Sequence, residues 1–320
     1  MAVYTEVSDK ALTQFLKRYD LGTVLSLKGI AGGVENTNYL LHMSTGSYIL
    51  TLYEKRVETK DLPFFIGLMD HLATQGFQCP LPMRDRNGEA LGTLAGRPAA
   101  MTSFLEGMEV KQQNAGHCQM AGEAMARLHL AAGDYKTERE NALAPHGWPV
   151  LVEASLPRAD TVEEGMANLI SGELDHAQHH WPKRIPAGVI HADMFKDNVF
   201  FLEGELSGVI DFYFACNDFL AYDIAIGINA WCFDENFNFQ PKFCAAFLAG
   251  YQSVRELEKG EVDALPTLAR GAALRFLLTR LNDWLNVPAG ALVTPHDPKA
   301  FSKRLRFLQT VGDAKEFGLI

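Results

Sequence analysis

The spacing of apolar residues changes character near residue 105, and that change restricts the chain to folds that keep a β part and an α part separate. Residues 8–20 read as a helix: Ser8 can cap it, Leu12, Phe15, Leu16 and Tyr19 recur at helical spacing, and Gly22 stops it. Short β-prone runs follow at 23–27, 37–43 and 48–53, broken by Gly29, Gly32, Gly33 and Gly46. A second helix is expected over 61–75 with Pro63 in its first turn, then strands at 81–83 and 98–104 around the turn Asp85-Arg86-Asn87-Gly88. Beyond residue 108 the pattern is helical, at 112–132, 160–180, 220–232, 240–257 and 266–286. One island interrupts it, at 189–210, where two apolar runs flank Glu203-Gly204-Glu205 as in a β-hairpin. The expected fold is α+β and bilobal. It has a small antiparallel-sheet lobe at 1–105, a hinge at 103–107 and a larger, mainly helical lobe at 108–320.

Charge and cysteine content remove several function classes. The 320 residues carry 29 Lys and Arg against 39 Asp and Glu, a net −10, and such a surface repels a nucleic-acid backbone. The five cysteines form no Cys-x-x-Cys pair and do not read as a disulfide framework, so reduced thiols are expected. The N-terminal residues lack the apolar core of a signal peptide, and no stretch approaches the roughly 18 apolar residues of a membrane span. A cytoplasmic protein without nucleic-acid or membrane partners is therefore expected. Its oligomeric state is not legible.

The island carries the chemistry. It reads His191-Ala192-Asp193-Met194-Phe195-Lys196-Asp197-Asn198, then the hairpin, then Ile210-Asp211-Phe212. Phosphoryl transfer needs a group that orients the acceptor hydroxyl and oxygen ligands that hold Mg²⁺ against the phosphates. The His-x-Asp-x-x-x-x-Asn spacing of kinase catalytic loops matches Asp193 and Asn198, and Asp211 stands where the second metal ligand follows a hairpin. Taken singly, each of these residues could equally cap a turn or a helix; order, spacing and context together favour ATP and Mg²⁺ as cofactors.

With Gly208-Val209-Ile210-Asp211 and Ala221-Tyr222-Asp223-Ile224-Ala225, the island resembles the aminoglycoside phosphotransferase and choline kinase superfamily. Gly32-Gly33-Val34-Glu35-Asn36-Thr37-Asn38-Tyr39 and Asp211-Phe212-Tyr213-Phe214-Ala215-Cys216-Asn217-Asp218 resemble, more narrowly, the second type of bacterial homoserine kinase. The resemblance runs along essentially the whole chain. It implies a protein-kinase-like fold and ATP-dependent phosphorylation of the L-homoserine hydroxyl to O-phospho-L-homoserine, a step of threonine biosynthesis. Choline, an aminoglycoside or another amino alcohol are the alternative acceptors, and a non-catalytic pseudokinase-like binding protein is the alternative class.

Roles follow residue by residue. The family motif makes Asp193 the base for the acceptor hydroxyl; His191, grouped with it, is expected to brace the loop, and Asp223 to buttress it. Asn198 and Asp211 are the expected metal ligands. Gly32, Gly33, Asn36, Asn38 and Lys55 are the expected nucleotide-binding residues, with a plain glycine-rich hairpin as the alternative. The sequence departs from the kinase pattern at Thr51, which stands where a strand lysine is usual, and the helix at 61–75 has no Glu to pair with one. A zwitterionic acceptor needs a cation for its carboxylate and oxygen for its ammonium. Candidates are Tyr213, Asn217, Asp218, Arg275, Arg280 and Trp284, with one of the two arginines expected on substrate and the other at the surface or in an ion pair. Trp231 and Trp284 are the available walls for a choline site. His176, His179 and His180 read as a solvated face, and His129 as a hydrogen-bonded core residue.

Overall fold

The structure is a computed structural model that describes residues 5–30, 36–54, 57–287 and 295–319. The chain divides into two compact units, one up to Glu106 and the other from Gly107 onward.

In the first unit Ser8 caps α1 (Asp9–Leu16), its hydroxyl accepting from the Ala11 N–H at 3.3 Å. Five antiparallel strands follow, β1 (Val24–Gly29), β2 (Thr37–Met43), β3 (Gly46–Leu52), β4 (Leu91–Leu94) and β5 (Arg97–Ser103), in the spatial order β1-β2-β3-β5-β4. β2 alternates as its sequence requires: Thr37, Tyr39, Leu41 and Met43 are buried and the residues between them half-buried. Its inward face meets Leu12, Phe15 and Leu16 of α1 in one core with Leu50, Leu52 and Met101. α2 (Leu62–Thr74) carries Pro63 in its first turn and buries Leu62, Phe65, Ile66, Met69 and Leu72. The strand expected at 81–83 is reduced to one bridge, Pro82 to Thr102, since proline has no N–H with which to extend a ladder; the fourth strand is instead β4, beyond the turn.

The second unit contains α3 (Ala115–Ala131), α4 (Trp148–Ser155), α5 (Met166–His180), α6 (Leu220–Trp231), α7 (Pro241–Gln252), α8 (Lys259–Leu285) and α9 (Lys299–Leu308). The helix expected over 160–180 begins only at Met166, a 3₁₀ segment (Leu156–Thr161) preceding it, and α8 runs through Pro266 instead of starting there. Two small ladders complete the unit: β6 (Ala187–Ile190) with β9 (Cys216–Phe219), and β7 (Val199–Leu202) with β8 (Glu205–Val209). The β7–β8 turn places Glu203 at φ 53° and Gly204 at φ 90°, the left-handed pair of a tight hairpin. α3 and α7 cross in close contact because a Cβ on Gly122 would meet the Phe247 carbonyl oxygen, and one on Gly250 the Gln119 carbonyl oxygen. That approach brings His129 of α3 to Tyr251 of α7. All five cysteines are free thiols, four of them buried. Among the described residues no helix is long and apolar enough to cross a membrane.

Candidate active site

β6 ends at Ile190, and the next residues leave regular structure under tight restraint. Ala192 has φ 62°, a region costly for a residue with a Cβ, so the surroundings must hold it there. They do so from both sides. Asp223 on α6, fully buried, accepts the N–H of His191 through Oδ2 and that of Ala192 through Oδ1, each at 2.9 Å. The buried guanidinium of Arg275 on α8 donates from Nη1 to the Ala192 carbonyl. A strained peptide flanked by two buried charges fixes the direction in which the next residue, Asp193, projects.

Asp223 is itself anchored. Burial would raise its carboxyl, but the hydrogen bond from His129, the neighbouring imidazoles and the His191 N–H outweigh that and hold it below the usual carboxylate range. His129 bridges Asp223, at 3.0 Å from Nε2, to the Tyr251 hydroxyl, at 2.8 Å from Nδ1. Arg255 donates to that hydroxyl at 3.1 Å and pairs in two-pronged fashion with buried Glu261. Three other helices, α3, α7 and α8, thus anchor this carboxylate of α6. The expectations for Asp223 as a buttress and His129 as a core residue describe these positions.

His191 has no exposure, and both ring nitrogens are in use. Its Nδ1 accepts from the Asp193 N–H at 3.2 Å, so the proton sits on Nε2, which donates to the Ile210 carbonyl at 3.0 Å. Burial pushes the imidazole below its ordinary value, which keeps the ring neutral. Both ring nitrogens are thereby engaged, and His191 ties Asp193 to the residue before Asp211. Asn198 makes a second tie. Its Nδ2 donates to the Asp193 carbonyl at 2.8 Å and to Asp193 Oδ2 at 3.0 Å, while its own backbone carbonyl accepts from Ile210 N–H at 2.9 Å. The Trp231 indole adds a third, donating to the Met194 carbonyl at 2.9 Å.

The β7–β8 ladder returns the chain so that Val209 faces Val199, which brings Asp211 beside Asn198. Asp211 is exposed and, at φ 63° and ψ 65°, also left-handed. The two acids singled out by spacing thus both depend on strained backbone, one directly and one through its predecessor. With Nδ2 committed to Asp193, Asn198 has Oδ1 as a neutral oxygen, one backbone hydrogen bond away from the residue before Asp211. Among the described residues no cluster of three or more His, Cys, Asp or Glu is placed to hold a metal alone. One carboxylate and one amide oxygen suit Mg²⁺, which retains waters and takes phosphate oxygens to complete its shell.

The remaining candidates divide. Gly32, Gly33 and Lys55 lie outside the described residues. Asn36 Oδ1 accepts from the Glu54 N–H at 3.3 Å, and Asn38 Oδ1 accepts from the Thr51 hydroxyl at 2.8 Å across the β2–β3 pair. Those oxygens brace the sheet, and Thr51, in the place of a strand lysine, is buried in that pair. Asn217 and Asp218 pin the segment 139–141: Asn217 Oδ1 accepts from Arg139 N–H at 2.8 Å and Asp218 Oδ2 from Asn141 Nδ2 at 2.6 Å. Tyr213 is half-buried in the turn after Asp211. Trp284 is exposed on α8, whereas Trp231 is fully buried, so the two do not wall one cation box. Of Arg275 and Arg280, one is expected on substrate and the other at the surface or in an ion pair; Arg275 is not at the surface. Arg275 is buried against Ala192, and Arg280, stacked 4.5 Å from the Phe301 ring centre, feels Asp193, Asp197 and Asp297 without pairing with any of them. Sequence reasoning missed Arg304 on α9, which lies 4.6 Å from the same ring.

Comparison with known proteins decides the class. The model of the phosphotransferase enzyme family matches residues 26–257, more than half of the chain. The chain belongs to the phosphotransferase enzyme family. Within the family it is similar to the homoserine kinase of Nitrobacter hamburgensis, 58% identical over 319 residues that cover 100% of this chain and 98% of that one. Among solved structures, an amicoumacin kinase in complex with AMP-PNP and Ca²⁺ shares its fold, with TM-score 0.70, 16% identity and coverage of 94% and 92%. A choline kinase from Cryptosporidium parvum does so with TM-score 0.67, 13% identity and 94% of both chains. The phosphotransferase thus has the protein-kinase-like fold that its motifs imply.

Proposed function

We propose that this phosphotransferase moves the γ-phosphoryl group of ATP to the side-chain hydroxyl of L-homoserine, giving O-phospho-L-homoserine and ADP. The observation that carries the reading is the fixed pair Asp193 and Asn198, set by a strained, doubly held peptide beside Asp211, in a chain alike from end to end to a homoserine kinase. Asp193 orients the acceptor hydroxyl and takes its proton as the P–O bond forms; because the proton leaves late in a loose transition state, orientation is the larger part of its work. Asn198 Nδ2 stops the Asp193 carboxylate from turning away. Arg275 and Asp223 keep the Ala192 peptide, and hence Asp193, from relaxing. Asn198 Oδ1 and Asp211 would hold Mg²⁺, which when bound would supply charge neutralisation on the phosphates. A cytoplasmic setting, with a small-molecule partner and no nucleic acid, fits this activity.

The choline reading loses its support with the tryptophans, since Trp231 is fully buried and Trp284 exposed. The test is Mg²⁺-dependent ADP release over homoserine, choline, ethanolamine and kanamycin. Homoserine should be turned over with the highest kcat/KM by far; preference for any of the other three contradicts the reading.

A further inference from the structure

Helix α9 carries a buried stripe of Ala300, Phe301, Arg304, Leu305 and Leu308, in which one position is a cation. Arg304 is nine-tenths buried and has no carboxylate or hydrogen-bond partner among the described residues; its Nε is a buried donor with nothing to bond. Its guanidinium lies over the rings of Phe301, Phe237 and Phe233, at 4.6, 5.0 and 5.5 Å from their centres. Aromatic faces hold a cation in place without neutralising it. Arg280 of α8 lies 4.5 Å from the Phe301 ring centre and is likewise without an ion pair among the described residues. The Phe301 ring, stacked on Phe276, thus seats two guanidinium groups at once. Lys196 of the catalytic loop lies within the field of Arg304, its Nζ donating to Gln113 Oε1 at 3.0 Å.

The electrostatics agree with the geometry. Burial pushes Arg304 down to about 9, and the like charge of Arg280 adds to the shift. Burial also lowers Arg280, against the opposing pull of Asp193, Asp197 and Asp297. Two desolvated cations beside one ring are costly unless an anion joins them. We propose that Arg304 and Arg280 form a built pocket for the α-carboxylate of the acceptor, with Arg304 as its main specificity residue. The proposal rests on the homoserine reading and names what selects that substrate. Arg280 is close enough to Asp193 to feel its charge but not to touch it. Both arginines also lie beyond residue 257, where the match to the general family model ends, while the match to the homoserine kinase continues through them.

Full-length wild type, Arg304→Met and Arg304→Lys are compared with L-homoserine and with 3-aminopropan-1-ol, the same acceptor without its carboxylate. For Arg304→Met the KM for homoserine should rise about 50-fold, while kcat, the KM for ATP and the slow turnover of 3-aminopropan-1-ol stay within about threefold. Arg304→Lys, which keeps the charge but loses the fork, should fall between, and keeps the test open if the Met variant fails to fold. A homoserine KM unchanged in both variants, equal losses with both acceptors, or a raised KM for ATP would overturn the pocket while wild-type turnover of homoserine leaves the functional reading intact. A wild type that phosphorylates 3-aminopropan-1-ol as readily as homoserine would overturn both.

Discussion

Around Asp193 the buried polar groups, the Nε of Arg275 excepted, complete one another: Asp223 takes two backbone N–H groups and an imidazole, His191 uses both nitrogens, and Asn198 grips the carboxylate it follows. Around Arg304, in the same unit, the opposite holds. Two guanidinium groups rest on aromatic rings with no hydrogen-bonded ion pair among the described residues, and only Arg280 feels nearby carboxylates. The first region is finished by the fold, and the second is left for a ligand to finish. Chemistry that depends on placing one hydroxyl gains from the former, because reorganisation at the moment of reaction is avoided. Selection among acceptors gains from the latter, because a site with unmet buried charge rejects whatever lacks the complementary anion.

The contrast predicts opposite responses to mutation. The largest effect belongs to Asp223→Ala, which strands His129 and frees the strained Ala192 peptide. Chemical denaturation should show a loss of about 3–5 kcal/mol, since one partner of a buried charged network is removed. A loss below about 1 kcal/mol would mean that the loop is held by something else.

Arg275 and Arg304 sharpen the comparison further, being two buried arginines with different duties. Arg275→Met removes a donor to the catalytic loop and should lower kcat about tenfold or more with little change in the KM for homoserine. Arg304→Met should do the reverse. The two variants sharing one kinetic signature would erase the distinction between the regions. Stability separates them too: because Arg304 is an uncompensated buried cation, Arg304→Met should melt no lower than wild type, and homoserine should raise Tm in the wild type only.

The smallest effect is a pH dependence. The folded His191 imidazole lies below its unfolded value of about 6.5, so the unfolded chain binds the proton first and stability falls as pH drops through that value. His176 and His296 are lowered by burial as well, so the informative quantity is the difference between wild type and His191→Gln. Between pH 7 and pH 5.5 the wild type should lose more stability than the variant, and parallel curves would mean that His191 is not held neutral.

The regions also differ in how much of them the sequence discloses. β2 was readable because strict alternation buries every second residue from Thr37 to Met43, and the Asp193, Asn198 and Asp211 set because its spacing is dictated by the chemistry and by a hairpin that returns the chain. α9 has a legible helical pattern, with Lys299, Lys303 and Arg306 opposite its apolar stripe, but the duty of Arg304 is not legible, because it is a cation among the buried positions. β4 is four residues with a glycine inside, below what alternation can register, and 81–83 looked apolar enough for a strand until Pro82 denied it a donor. Arg275 was legible as a candidate but not in its duty, because helical spacing does not tell whether a buried cation meets a substrate or the carbonyl of a loop 83 residues away. Tertiary contacts of that span leave no local trace.

The most direct test of the account compares the product formed by wild type and Asp193→Asn at saturating ATP, Mg²⁺ and L-homoserine, followed by phosphorus NMR. The wild type should accumulate O-phospho-L-homoserine in step with ADP. Asp193→Asn, folded and binding homoserine with similar affinity, should form it at least about a hundredfold more slowly. Near-normal phosphohomoserine formation by Asp193→Asn would contradict the assignment on which the rest depends.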